Sequence, residues 1–226
     1  MKRNVLLIVL LFSCALGAFA QEQSYVSRFD AFTGYSYLAA PKMNLVQRGF
    51  NGEFGVNVNR WLALGVDYSI FTGHSSLTPG ELTLSLQQKL APLAASFPPG
   101  YVLSVPYNGT TYTYSAGPQL NYRHWDKVTF FVRPALGAMH EKVVAKPADP
   151  IQTMVVSGLV PGGTKSDTAV FYGASGGFDL NISKHVAIRM AADFVHVYLF
   201  DGFLKEGRNS VRFSVGPTWR WGKNVN

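Results

Sequence analysis

Eight stretches of this chain alternate large apolar residues with small or polar ones at period two, and no other feature limits its fold as tightly. The first sets Phe29, Ala31, Thr33, Tyr35 and Tyr37 against Arg28, Asp30, Phe32, Gly34 and Ser36. The second sets Phe50, Gly52, Phe54, Val56 and Val58 against Asn51, Glu53, Gly55, Asn57 and Asn59. The third runs from Leu62 to Ile70, the fourth from Tyr112 to Tyr122 and the fifth from Val128 to Ala138. The sixth covers Val170 to Asn181, the seventh Val186 to Val195 and the eighth Val211 to Trp221. Such alternation belongs to strands whose two faces meet different surroundings. Pro118, Pro134 and Pro217 fall inside these stretches and are read as bulge positions, because proline removes a ladder donor.

Each stretch is about 9 to 13 residues, the length a tilted strand needs to cross a hydrocarbon layer, against about 5 to 6 for a strand in a soluble domain. The connections alternate too. Tight turns lie near Asn59-Arg60, His124 to Lys127 and Ile182 to His185, whereas Leu38 to Gln47, Phe71 to Thr111, His140 to Thr168 and Leu199 to Asn209 are longer. An even strand count puts both chain termini and every short turn at one end of the barrel and every long loop at the other. The pattern predicts an all-β chain: one eight-stranded antiparallel up-and-down transmembrane β-barrel. A short helix is expected in the longest outer loop. There Thr78-Pro79-Gly80-Glu81 reads as a capping box, Leu82, Leu86, Leu90 and Leu93 follow, and Pro92 is placed to stop or kink the helix.

Only 15% of the residues are charged, against roughly 25% in ordinary soluble domains, while 14% are aromatic. Both disorder and a coiled coil are excluded by that composition. Sorted by parity, the charge deficit falls on one face. The polar face carries Asp30, Glu53, Asp67, Asp179 and Asp193 against Arg133, Arg189, Arg212 and Arg220, a nearly neutral set that must pair if buried. Glu53, Asp67, Arg133 and Asp193 fall at similar heights, so the set is expected to form a mid-barrel ion-pair network. An interior of eight strands is filled by side chains and is not a wide pore. Tyr112, Tyr122, Trp61, Trp125, Trp219 and Trp221 near strand ends suit aromatic girdles, and favour lipid outside over the alternative of a soluble exported, lipocalin-like barrel that carries a hydrophobic ligand in its interior. A small gated conduit through the polar face is a further alternative.

Residues 1–20 read as a cleaved signal peptide: Lys2 and Arg3, an apolar run from Val5 to Phe12, then Ala18-Phe19-Ala20 as the cleavage site. Lipoprotein processing at Cys14 is disfavoured by bulky Phe12. Residues 21–27 form an N-terminal periplasmic segment, 28–222 the barrel domain and 223–226 a C-terminal tail. Cleavage removes two of 20 basic residues, no acidic residue and the single cysteine, so the net charge falls from +7 to +5 and disulfides are unavailable.

The stretches Phe29 to Leu38, Phe54 to Ser69 and Val211 to Gly222 resemble the transmembrane barrel domain of OmpA-like and OmpX-like outer-membrane proteins. The resemblance covers roughly residues 26–222 and does not include a peptidoglycan-binding domain. Ser214, Gly216, Trp219 and Trp221 are similar to the C-terminal assembly signal of that class, although five residues follow the last aromatic. The resemblance implies the outer membrane of a Gram-negative cell, with contacts to its lipids, to lipopolysaccharide and to its assembly machinery. The expected role is structural or surface-interacting, as a monomer, with no enzyme activity, cofactor, metal or nucleic-acid partner. His74, His140 and His196, near Ser75, Ser76 and Glu141, are the one constellation suggestive of a hydrolase or a metal site. Their parity continues the apolar face, so they are not expected to converge. His124 and His185 read as ordinary turn residues.

Overall fold

The computed structural model describes residues 25–40, 45–205 and 209–225. The expected leader, and residues 21–24 and 226 of the two flanking segments, lie outside the described residues. Eight antiparallel strands close into one barrel, each pairing with its sequence neighbours and β1 with β8. They are β1 (Ser27–Ala40), β2 (Leu45–Asn57), β3 (Leu62–Leu77), β4 (Val105–Tyr122), β5 (Val128–Ala145), β6 (Thr164–Asn181), β7 (Val186–Val197) and β8 (Asn209–Asn224). Seven of the eight alternating stretches lie wholly within these strands, and the second overruns β2 by Val58 and Asn59, which enter the turn; the order is the expected one, and closure leaves no unpaired edge.

The apolar parity points outward along the whole ring. Phe50, Leu64, Val66, Leu136, Val170, Phe194 and Phe213 are between 52% and 74% exposed. The inward-facing residues Asn51, Ala63, Asp67, Arg133, Phe171, Val195 and Arg212 of the same strands are buried. An apolar exterior around a charged interior is the reverse of the ligand-carrying soluble barrel. At the turn end, Trp61, Tyr122, Trp219 and Trp221 are exposed. Trp125 packs edge-on against Tyr122, and Trp221 lies 6.1 Å from Phe29 and 6.2 Å from Phe54. The opposite ring is made by Tyr68 against Tyr114, Tyr112 against His140 and Tyr172 against His196. Ten residues of tilted strand separate Tyr112 from Tyr122, which spans about 25 Å.

Tyr112 is therefore not at a strand end. β4 continues seven residues above it, and β3, β5 and β6 also outrun the expected limits, so much of what reads as loop between Phe71 and Thr111 and between His140 and Thr168 is ladder, from Leu77↔Val105 and from Val144↔Thr164. Thr72, Thr110, Thr111, Val143 and Val144 suit strands but break the outward apolar pattern, because the extensions stand clear of the apolar belt.

The three strand prolines are not at bulges. Pairing of β4 with β5 stops after Ala116↔Leu136 and resumes in the same register at Leu120↔Val132, so Pro118 and Pro134 share one gap. Pro217 shares another with Gly216, between Phe32↔Thr218 and Tyr35↔Val215 of the β1–β8 pair. A proline facing a gap costs fewer ladder bonds than one facing a partner. The register shift that does occur lies at Ser27/Phe29, where Gly222 takes φ +99°. Past it Val26 accepts from the Val225 amide at 2.9 Å, so the residues after Trp221 extend the closing strand.

Three loops build a cap over the outer end. The capping box turns Pro79–Glu81 as a 3-10 segment only, with the Thr78 amide donating to Glu81 Oε2 at 2.7 Å. Buried Leu82 is then held extended by a bridge to Leu204, and α1 starts afresh at Leu84–Ala94. It runs two residues past Pro92, which costs one intrahelical bond without ending the helix. A second helix, α2 (Pro150–Leu159), lies where no helix was expected. Its Ile151, Val155 and Val156 are β-branched and favour strand, but Asp149 caps it and Pro150 sits at its first position. Leu82, Leu90, Leu103, Val105 and Val155 form the core of the cap, each contributing roughly 1.5–3 kcal/mol by burial.

The α2 cap is acid-sensitive. Asp149 accepts from the Gln152 amide at 2.8 Å and from Tyr101 Oη at 2.7 Å. The Gln152 amide bond, with that from Tyr101, holds its carboxyl below the usual range. A depressed folded pKa means that this stabilisation is present above the unfolded value and fades as pH falls through the folded one. In Asp149→Ala, the amides of α2 should exchange faster than in the parent at neutral pH, and the two proteins should converge in strong acid. Equal protection at neutral pH would remove the cap's role.

Candidate functional site

The lumen is stacked in three layers. Nearest the turns, Asp30 of β1, Asp179 of β6, Arg189 of β7 and Arg220 of β8 face inward, all at most 7% exposed. Arg189 grips Asp179 with two donors, Nε to Oδ1 at 2.8 Å and Nη2 to Oδ2 at 3.1 Å, and lies 3.9 Å from Asp30. Arg220 reaches Asp179 Oδ2 at 2.5 Å and Asn181 Oδ1 at 2.6 Å. Above them Glu53 receives Arg189 Nη1 at 2.7 Å and Arg133 Nη2 at 3.2 Å, from strands across the ring. Arg133 is also 3.8 Å from Asp67. Arg212 donates from Nη1 and Nη2 to the two oxygens of Asp67 at 2.9 and 3.1 Å, and from Nε to Asp193. Planar bidentate pairs of this kind recover much of the cost of removing charge from water.

All nine charged positions singled out from the sequence face the lumen, and each lies within 4 Å of an opposite charge. Among the described residues, two further buried charges face inward. Arg123 is 6% exposed and donates to Asn57 Oδ1 at 2.8 Å, while Asn57 donates to Asp30 Oδ2 at 3.0 Å. Its parity follows Gln119 and Asn121, a signal hidden because it lies one residue beyond the end of β4. With Arg123 counted, five carboxylates face five guanidiniums in these lower layers. The other is Glu141, one register step beyond Met139 on the inward face of β5.

The middle layer is apolar: Met139, Phe171, Val195 and Val197 cluster, with Leu38 and Phe71 also buried inside. The void between it and the charges measures about 20 Å³ beside Arg133 and Arg212, room for about one water. The uppermost layer is a cavity of about 130 Å³ beneath α2 and the β7–β8 connection. Leu38, Leu77, Val105, Val143, Val155 and Leu159 are among its walls, and Gln47 and Glu141 supply polar groups.

The histidines stay apart. His140 hydrogen-bonds Thr168 and His196 hydrogen-bonds Asn209, both on the outer surface, and His74 pairs across the ladder with Asn108. Glu141 turns inward while His140 turns outward, so they share no site. Among the described residues no group of three His, Cys, Asp or Glu side chains is placed to hold a metal.

Ser214 and Gly216 lie on the β1–β8 seam, Ser214 Oγ 2.7 Å from Ser36 Oγ, whereas Trp219 and Trp221 point outward. A Cβ on Gly216 would sit 2.1 Å from the Thr33 carbonyl oxygen and 2.5 Å from Gly34 Cα.

A closed eight-stranded ring, apolar outside and charge-paired within, is the architecture of an outer-membrane-type barrel. Solved structures share it. The attachment invasion locus protein Ail of Yersinia pestis is 14% identical, with a TM-score of 0.50 over 86% of this chain and 97% of that one. Neisserial surface protein A is 10% identical, with a TM-score of 0.51 over 85% and 96%, and OprG of Pseudomonas aeruginosa 7%, with 0.51 over 89% and 99%. These are eight-stranded outer-membrane barrels, and this chain has their fold. No family model and no curated protein matches the sequence.

Proposed function

We propose that the chain is an integral outer-membrane protein, exported by a leader cleaved after Ala20, with a structural or surface-interaction role and no enzyme activity. The observation that carries this is the outward belt from Phe50 to Phe213 wrapped around an interior in which lower-layer charge pairs with charge. In water such a belt drives aggregation, and in hydrocarbon it is the solvated surface. Closure without an edge strand supports a monomer, and the outward tryptophans and tyrosines suit contact with lipid and lipopolysaccharide headgroups. The β1–β8 seam, held by Ser214 and Gly216, is the place for the assembly machinery to act before closure. Arg133 and Arg212 beneath the Phe71 and Phe171 layer support a plugged lumen over a conduit.

Membrane fractionation tests the reading. The native protein should sediment with outer membranes and require detergent for release; recovery in the soluble periplasmic fraction overturns it. In planar bilayers the refolded barrel should give no discrete conductance, and steady unitary currents that change in Arg133→Ala would establish the conduit instead.

A further inference from the structure

We propose that the cavity under the cap binds a small organic amine, a compact hydrocarbon body bearing one ammonium group. Each of the five lower carboxylates has an arginine within 4 Å or, for Asp193, in direct contact. Glu141 is 8% exposed, and among the described residues no lysine or arginine forms an ion pair with it. Its polar neighbours are Gln47, whose Nε2 donates to Glu141 Oε1 at 3.2 Å, and buried Thr111, directly across the ladder.

Gln47 is 1% exposed, lines the same cavity, and leaves its Oε1 without a hydrogen-bond partner among the described residues; Ser210 Oγ, also on the lining, is likewise unpartnered. Buried acceptors in an apolar chamber are costly until a donor arrives. An ammonium brings three donors and the missing positive charge, whereas an alcohol brings one donor and no charge, and a carboxylate brings further acceptors. Lys165 also reaches the lining, but its ammonium lies over the Phe203 ring, 5.4 Å from the centroid.

The walls choose the body of the ligand. A chamber of about 130 Å³ faced by Leu38, Leu77, Val105, Val143 and Val155 is similar in size to the ~150 Å³ engineered apolar cavities that accept a benzene ring. One six-membered ring or a short branched chain fits, and a long acyl chain does not. The site faces the loop end, separated from the charged layers by Phe71, Met139 and Phe171, so a bound amine stays on that side.

Cyclohexylmethylamine, cyclohexylmethanol and cyclohexanecarboxylate, titrated into the barrel refolded in micelles and followed by methyl NMR, test the proposal independently of where the protein resides. The amine should bind saturably, shift the methyl signals of Leu38, Val105 and Val155, and exceed the alcohol by about tenfold or more, with no saturation by the acid. Glu141→Gln should abolish that preference while leaving the alcohol's affinity unchanged. Leu159→Trp, which fills the chamber from α2, should remove binding of both in a barrel with an otherwise native spectrum. Equal affinity for amine and alcohol in the parent, an amine affinity unaltered by Glu141→Gln, or binding that survives Leu159→Trp overturns it.

Discussion

Replacing Arg189 with Met is expected to lower the barrel's unfolding free energy by about 3–5 kcal/mol, read from urea titration of the refolded protein in bilayers. The size follows from what the guanidinium leaves behind. Asp179 and Glu53 are both buried and each loses a hydrogen-bonded positive charge, while Asp30 loses a neighbour at 3.9 Å. Asp179 keeps Arg220 and Glu53 keeps Arg133, so the loss stays finite. Adding Glu53→Gln to the Met variant should recover part of it, since one stranded charge disappears. Lys184→Met, on an exposed turn, should change stability by no more than about 0.5 kcal/mol. A loss below about 1 kcal/mol for Arg189→Met would mean that water reaches these groups and screens them.

The second large effect is expected at Gly216. An alanine there presses its methyl into the Thr33 carbonyl and the Gly34 backbone, and two backbones cannot yield as a flexible side chain can. Gly216→Ala should leave most of the chain unclosed after refolding without any cellular factor, detected as lost protection of β1 and β8 amides. Trp219→Ala, which removes an outward ring, should close normally in vitro. If Gly216→Ala closes as well as the parent in vitro yet fails to accumulate in cells, the glycine serves recognition and not closure.

The fold was legible because the two faces of each strand meet such different surroundings that parity alone separates Glu53 from Phe54 and Asp67 from Val66. Lumen charges could be assigned for the same reason. Which arginine meets which carboxylate could not, because Arg189 reaches from β7 to Glu53 on β2 and Arg212 from β8 to Asp67 on β3, and nothing local encodes contacts across a ring. Above the belt the code weakens. With water outside, Thr110 and Val143 need no strict alternation, so the long ladders looked like loops. Helix α2 was masked by the β-branched run through Val156, although Asp149-Pro150 announced its start. The amine chamber depends on α2, Gln47 and Glu141 meeting in three dimensions, which no spacing reveals.

The two proline gaps have a mechanical consequence. In a ring of eight strands, the β4–β5 gap at Pro118 and Pro134 lies diametrically opposite the β1–β8 gap at Pro217, and the three prolines fall about four to seven residues from the turn ends of their strands. A cylinder creased along two opposite lines has one soft deformation, flattening into an oval. Arg189–Glu53, Arg133–Glu53 and Arg212–Asp67 run across the bore like struts, so the elastic compliance created by the creases is resisted by the ion pairs that fill the interior.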